Sequence, residues 1–182
     1  MTGIPVTFVA GPVGVWSIDR VTTVRGEGLP AAKRLERVES HDRNFGAASW
    51  SIKGVTSSLR YVNAAESARL RSIEPPLGRE GAKGAALIPI TKSAEWWELA
   101  QDERREIFEE RSRHIATGLR YLPAIARRLY HCRDLGEPFD FLTWFEYAPS
   151  DATAFEELVG LLRATEEWRY VVREVDVRLS RD

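Results

Sequence analysis

The stretch FDFLTWFEY, from Phe139 to Tyr147, constrains the fold more than any other part of this 182-residue chain. At the two-residue period of a β-strand, one face carries Phe139, Phe141, Thr143 and Phe145, and the opposite face carries Leu142 and Trp144. A strand that is apolar on both faces must be covered on both sides. The turn sequence RDLGEP joins it to a preceding strand, Ile125 to Cys132, and predicts a hairpin.

A long helix is predicted from Ser93, which can cap its first turn, through the stretch SAEWWELAQDERREIFEERSRHIATG. At helical spacing one stripe carries Trp96, Ala100, Ile107 and Gly118. His114 lies seven residues after Ile107, so we expect it on the same apolar face, directed to the interior. An inward histidine is either a core residue bonded to a backbone carbonyl or a ligand for an iron centre.

Arg127 lies between Ile125 and Leu129 at strand spacing, which favours an inward guanidinium. Its neighbour Arg128 would then lie on the other face, since the alternation lets only one of the two arginines point inward. Such an arginine either extends to the rim of the sheet or pairs with an acid, or it acts as a cationic donor that holds an anion above a metal. The combination of His114 and Arg127 is the main functional lead in the sequence.

A histidine that binds iron needs an acceptor for its second ring N–H, and a carboxylate serves best. Glu166 and Glu167, just beyond the last predicted helix, are candidates, and each could also be an ordinary solvated glutamate. Trp96 and Trp97 either pack the helix or contact the edge of a porphyrin, with Lys92 beside them to neutralise a propionate.

The sequence pattern of the first half predicts a shorter series of strands and helices than that of the second half. Its pattern favours extended chain from Val6 to Arg25, a helix from Ala31 to Arg43, and strands from Ala47 to Val55 and from Ser57 to Val62. A helix follows from Ala64, with Asn63 as its cap and Glu66 three residues on. Gly78 to Ala85 resembles an interior linker.

The second half predicts a strand at Ala86 to Thr91, the long helix, the hairpin, the helix ATAFEELVGLLRAT capped by Ser150 or Asp151, and a strand at Val171 to Leu179. This order is a β-α-β-β-α-β unit, and the first half is a reduced copy of it. We therefore predict an α+β fold in which two ferredoxin-like halves form an antiparallel β-barrel with helices outside. One domain, residues 1–182, would comprise an N-terminal half (1–85) and a C-terminal half (86–182).

Composition excludes several classes of function. The formal net charge is −1 and no basic stripe occurs, so we expect no nucleic-acid partner. No apolar run approaches 18 residues, so no membrane helix is expected, and the lack of a basic n-region before the apolar N-terminal stretch favours a cytoplasmic location. With one cysteine and three histidines, neither an internal disulfide nor a Cys-His zinc cluster is expected.

Familiar catalytic motifs are missing from the sequence. It contains no Gly-x-Ser-x-Gly, no phosphate-binding loop, no Gly-x-Gly-x-x-Gly after a strand and no His-Glu-x-x-His. It also lacks Cys-x-x-Cys-His, so covalent attachment of haem is not supported.

The pattern EWWELAQDERREIFEERSRHIATGLRYLPAIARRLYHCRDLGEPFDFLTWFEYAP, followed by AFEELVGLLRATEEWRYV, resembles the chlorite dismutase family. The similarity is clearest from Ala86 to Val172. It implies a pair of ferredoxin-like halves with a non-covalent haem b in the C-terminal half. The chain is similar in length to the short-subunit branch of that family, which implies a homodimer.

The resemblance also implies roles for individual residues. His114 matches the proximal iron ligand, Glu167 the acid bonded to it, and Arg127 the distal catalytic arginine. The remaining matches near the cofactor are Lys92, Trp97 and the neighbouring Trp96, and, for the distal wall, Leu122, Thr143 and Phe145.

The family reaction converts chlorite to chloride and dioxygen, with formation of an O–O bond. We therefore expect haem b as cofactor and chlorite as the small anionic substrate. Two alternatives remain open at the level of sequence. One is a coproheme decarboxylase of the same superfamily, whose members are typically longer. The other is a non-catalytic barrel that binds or senses haem.

Overall fold

The computed structural model describes residues 5–39, 45–56 and 61–182. Within these ranges eight strands form a closed barrel in the order β1-β3-β2-β8-β5-β7-β6-β4, with every neighbouring pair antiparallel. The strands are β1 Pro5–Gly11, β2 Trp16–Arg25, β3 Arg34–Glu39, β4 Trp50–Thr56, β5 Gly84–Lys92, β6 Ala126–His131, β7 Phe141–Tyr147 and β8 Val171–Ser180.

The helices connect these strands. They are α1 Ala64–Ile73, α2 Ala94–Glu98, α3 Gln101–Arg105, α4 His114–Tyr121 and α5 Ala152–Arg163, with a π-helical turn at Glu106–Arg111 and 3₁₀ turns at Arg133–Leu135, Pro149–Asp151 and Glu167–Tyr170. None of the helices in the described ranges is long and apolar enough to cross a membrane. The predicted α+β barrel is confirmed, including the β-α-β-β-α-β order of the second half.

Strand β7 separates two hydrophobic cores, as its alternation predicts from Phe141 onward, whereas Phe139 precedes the strand and belongs to the core inside the barrel, not to the face predicted with Phe141. Leu142 and Trp144 belong to the core inside the barrel, whereas Phe141 and Phe145 belong to a second core outside it, against the helices. The second core also contains Phe155 of α5. A cavity lined in part by Phe141 and Phe145 lies on this outer, helix-covered side.

The helix predicted at Ala31 to Arg43 is wrong, because Arg34–Glu39 is strand β3. Leu35 is fully buried and pairs with Ala10 of β1, which is the arrangement of a strand with one apolar face. Barrel closure outweighs the weak helical pattern of charges here. The strand predicted at 57–62 lies mostly outside the described residues, and its last two residues lie in a turn and an irregular segment before α1.

Asn63 caps α1 as predicted. Its Oδ1 accepts from the Glu66 amide at 2.9 Å, and the Glu66 carboxylate accepts from the Asn63 amide at 2.9 Å. The expected linker before β5 is tied to the barrel instead, because the Gly78 amide donates to the buried Glu146 carboxylate at 2.6 Å.

The long helix predicted from Ser93 is also wrong, because the chain breaks twice. Leu99 is extended (φ −63°, ψ 146°), which ends α2, and Arg113 is left-handed (φ 52°, ψ 38°), which separates the π-helical turn from α4. At the first break the buried Arg104 guanidinium donates to the carbonyls of Trp96 and Trp97. Those bonds satisfy carbonyl groups that lack a helical partner at the end of α2, and the chain can turn there.

Candidate functional site

A cavity of about 310 Å³ lies between the outer face of the barrel and the helices. Its lining is mostly aliphatic and aromatic, with a few charged groups, as is usual for a ligand site. Most lining residues come from 86–182, whereas the first half contributes Thr56, Tyr61, Val62, Leu70, Arg71 and Glu74. The site is therefore built from both halves of the chain.

The strand side of the cavity follows directly from β alternation. Arg127 and Leu129 of β6 pair with Phe145 and Thr143 of β7, and all four line the cavity. Of the residues predicted for the distal wall, the structure brings Thr143 and Phe145 to the same cavity as Arg127. Leu122 does not line it, because it lies at the end of α4, before Pro123.

The helix side carries the ring of His114, whose Nδ1 lies 2.7 Å from Glu167 Oε2. The other carboxylate oxygen, Oε1, lies 2.6 Å from Lys92 Nζ, and the side chains of both residues are at most 4% exposed. His114, Glu167 and Lys92 therefore form a chain of contacts from the cavity into the protein interior. Glu166 is not part of it, since its carboxylate accepts from Arg111 at the surface.

Glu167 is ionised in this arrangement. Burial alone would raise the pKa of this carboxyl, but the charges and hydrogen bonds of Lys92 and His114 outweigh burial and lower the pKa to about 2. A carboxylate can only accept, so His114 Nδ1–H is the donor. In the neutral imidazole with the proton on Nδ1, the other ring nitrogen, Nε2, carries the lone pair that can bind a metal.

The imidazole of His114 is also held by stacking. Phe108 of the π-helical turn lies parallel to it, with ring centroids 4.3 Å apart and planes 20° apart. The sequence offers no periodic signal for this contact, because the two residues are six positions apart and an unbroken helix would place them on different faces. The left-handed residue Arg113 makes the approach possible.

Arg127 lines the same cavity, and its guanidinium makes no hydrogen bond or ion pair with any described residue. Burial lowers the pKa of this guanidinium, an effect that the carboxylates of Glu74 and Glu167 partly offset. Nη1 lies 3.4 Å from where a Cβ on Gly118 would be, so the group rests close to the backbone of α4. The prediction that only one of the two arginines faces the cavity is wrong, because Arg128 also lines it and pairs there with Glu74 at 2.8 Å.

Two buried donors in the cavity lining have no hydrogen-bond partner in the described structure, Tyr61 Oη and Trp96 Nε1. Their rings meet edge to face, with centroids 6.1 Å apart. Buried polar atoms are normally satisfied, so these two donors indicate that a polar group of a ligand completes the site. Tyr61 was not predicted as a site residue, since the sequence places it in a predicted strand from Ser57 to Val62, whereas in the structure it lies in a turn before α1.

Trp97 occupies a different environment from Trp96 and does not line the cavity. Its ring stacks on Phe141, its Nε1 donates to Asp140 at 3.2 Å, and the guanidiniums of Arg104 and Arg133 lie over it. Its contacts with the protein are therefore extensive, and the structure does not place it beside His114 and Arg127.

Comparison with known proteins matches this architecture. The sequence model of the chlorite dismutase family matches residues 29–182. A chlorite dismutase of Ideonella dechloratans is 32% identical over 130 residues, a stretch that covers 68% of this chain and 42% of that relative. The present chain thus matches less than half the length of that curated relative.

Solved structures agree in fold. The dimeric chlorite dismutase of Nitrobacter winogradskyi is 60% identical, with a TM-score of 0.91 over 97% of this chain and 99% of that one. A chlorite dismutase of Candidatus Nitrospira defluvii in complex with imidazole is 20% identical, with a TM-score of 0.70 over 98% and 92% of the two chains, and shares the fold. Since the family model covers most of the sequence, this chain belongs to the chlorite dismutase family.

Proposed function

We propose that this protein is a haem b-dependent chlorite dismutase that converts chlorite to chloride and dioxygen. The observation that carries the proposal is the placement of two groups in one cavity. One is His114, whose free Nε2 is suited to iron. The other is Arg127, a cation with no partner among the described residues. Family membership supports the same activity.

The residues present fit a haem. His114 would bind the iron through Nε2, with Glu167 fixing its tautomer through Nδ1. The apolar lining suits the porphyrin ring. The unpaired donors Tyr61 Oη and Trp96 Nε1 fit the carboxylates that a haem carries. Lys92 does not fit that role, because its ammonium is already bound by Glu167.

When bound, haem iron supplies the centre at which the Cl–O bonds of chlorite break. In the overall reaction one chlorite ion gives one chloride ion and one dioxygen molecule, so atoms and charge balance without another reactant. Arg127 attracts the anion and holds the chlorine-containing fragment in the cavity by charge-assisted hydrogen bonds until the O–O bond has formed. The low polarity around the guanidinium strengthens that attraction.

The ligand side keeps the histidine strongly basic. Glu167 holds the proton on Nδ1 without taking it, because its own pKa is about 2. Lys92 balances the carboxylate charge from the other side at 2.6 Å. The result is an electron-rich imidazole of fixed orientation, and neither Glu167 nor Lys92 needs to move during turnover.

The test is an oxygen-electrode trace of the hemin-loaded protein after addition of chlorite. Release of one dioxygen per chlorite, with chloride as the other product, is the expected result. Loaded protein that releases no dioxygen contradicts the proposal. Mass analysis of a bound coproporphyrin before and after peroxide separates this activity from decarboxylation, in which the porphyrin loses mass and chlorite is not consumed.

We also infer that the protein is a homodimer, from its 60% identity to a dimeric relative over almost the whole chain. Light scattering during gel filtration tests this inference. A mass twice that of the 20.6 kDa chain is expected, and a monomer or a larger ring would contradict it.

A further inference from the structure

Glu109 lies in the π-helical turn, Ser112 and Arg113 connect that turn to α4, and His114 is the first residue of that helix. We propose that Glu109 is a positioning residue for His114 and that it sets the orientation of the imidazole through the first turn of α4. This inference rests on the proposed function, since it takes His114 to be the iron ligand.

The carboxylate of Glu109 caps α4 from outside the helix. Its Oε2 accepts from the Ile115 amide at 2.6 Å, and its Oε1 accepts from the Ala116 amide at 3.2 Å. The residue in the usual capping position is Arg113, whose side chain makes no capping bond. Glu109 therefore satisfies two of the free N–H groups that every helix has at its start, and its charge suits the positive end of the helix.

Such a cap acts directly on His114 because the histidine occupies the first helical position. The Cα–Cβ direction of His114 follows from the geometry of that turn, and a first turn without its cap frays. The Glu167 carboxylate at 2.7 Å and the Phe108 ring at 4.3 Å would still contact the imidazole, but the backbone beneath it would be free to shift.

The same connection also fixes the partner of the histidine. Ser112, which is buried, accepts through Oγ from the backbone N–H of Glu167 at 3.0 Å. The left-handed backbone of Arg113 then turns the chain into α4. One short segment thus anchors both members of the His114–Glu167 pair, Glu109 through α4 and Ser112 through the 3₁₀ turn that carries Glu167. A π-helical turn beside such a segment is a frequent feature of functional sites.

The experiment compares Glu109→Ala, Glu109→Gln and the matched control Glu110→Ala in the full-length, hemin-loaded protein. Glu110 is the adjacent glutamate on the same turn, but its side chain is 65% exposed and only 3.5 Å from Arg105 at the surface. Two quantities are measured: the rate of hemin transfer to an apomyoglobin scavenger, and the iron–histidine stretching frequency of the ferrous protein by resonance Raman spectroscopy.

We expect Glu109→Ala to release hemin about tenfold faster and to shift the iron–histidine frequency, in line with the loss of other groups that orient a metal ligand. Glu109→Gln keeps one acceptor oxygen and should fall between the wild type and Glu109→Ala. Glu110→Ala should match the wild type in both measurements. The frequency reports the bond to His114 itself, which a general loss of stability would not alter.

Equal release rates and frequencies in the Glu109→Ala and Glu110→Ala proteins would overturn the inference. If Glu109→Ala does not fold, Glu109→Gln decides, and wild-type values for both quantities would overturn it. Failure of the proposed function has a different signature. In that case the wild-type protein shows no iron–histidine band, or His114→Ala leaves the band unchanged.

Discussion

The two sides of the cavity differ in whether their charged side chains are paired. On the ligand side, His114, Glu167 and Lys92 satisfy one another through contacts of 2.7 and 2.6 Å. On the arginine side, the Arg127 guanidinium has no hydrogen-bonding partner in the described parts of the chain. Since a cation without an acidic partner favours a bound anion, the first side is arranged to stay fixed, and the second is arranged to receive an anion. Substitutions on the ligand side should therefore affect hemin affinity, and substitutions on the arginine side should affect activity.

The largest effect should come from His114→Ala, which removes the imidazole that Glu167 orients in the cavity. We expect hemin affinity to fall by at least about 100-fold, and the Soret band of the loaded protein to change to that of unligated hemin. His131→Ala is the matched control, because His131 lines the same cavity and its ring meets Phe141 edge to face. Titration with hemin, followed by absorbance, measures both variants, and equal affinities would remove the difference proposed between the two sides.

Arg127→Ala should keep hemin and lose activity. Removal of one charged donor that stabilises a reacting anion typically lowers kcat by about 100-fold or more, and we expect that loss for chlorite. The matched control is Arg128→Ala, the neighbouring arginine whose charge is already paired with Glu74 at 2.8 Å. Initial rates of dioxygen release, together with a trap for hypochlorite, measure the effect. A similar loss in both variants would mean that Arg127 has no special role.

Glu167→Gln should lower the free energy of unfolding, because it removes the negative charge between His114 and Lys92. The lowered pKa implies a contribution to folding on the order of 3 kcal/mol, because the shift from 4.5 to about 2 is worth about 1.4 kcal/mol per unit. This contribution is fully present above pH 4.5, where the unfolded chain is also ionised, and is lost as pH falls toward 2. Urea unfolding at pH 7 and at pH 3 measures it.

The matched control for that experiment is Glu166→Gln, one residue earlier, whose carboxylate pairs with the half-exposed Arg111. Its stability should change by less than about 1 kcal/mol at either pH, as is usual for surface pairs. If the two variants lose equal stability at pH 7, the carboxylate of Glu167 contributes no more to folding than a surface ion pair does.

The strand side could be predicted from the sequence because strand geometry repeats every two residues. Arg127, Thr143 and Phe145 face the cavity by alternation alone, and a one-residue error in register would have reversed them. The barrel itself follows from β7, whose two apolar faces require cover on both sides. The sequence of strand β3 does not reveal a two-residue period, because only Leu35 in it is fully buried.

The helix side could be predicted only in part, because caps and breaks depend on contacts distant in sequence. His114 was expected on an apolar stripe that included Ala100, yet Ala100 is exposed and two breaks separate it from His114. The left-handed backbone of Arg113 has no sequence signal, since a non-glycine residue seldom adopts it. The choice of Glu167 over Glu166 rested on resemblance, and the structure places Glu167 against the imidazole.

The smallest expected effect is on hemin affinity when Trp96 or Trp97 is replaced. The two adjacent tryptophans cannot be distinguished by sequence, but their environments differ. Trp96 is 1% exposed and presents an unpaired Nε1–H to the cavity, whereas Trp97 donates its own Nε1–H to Asp140 outside the cavity. We expect Trp96→Phe to weaken hemin binding about fivefold, since a single hydrogen bond contributes about 1 kcal/mol. Trp97→Phe should leave hemin affinity unchanged and lower the Tm, because it leaves Asp140 one donor short. Parallel hemin titrations and thermal melts measure both variants, and a loss of affinity confined to Trp97→Phe would reverse the assignment of the two rings.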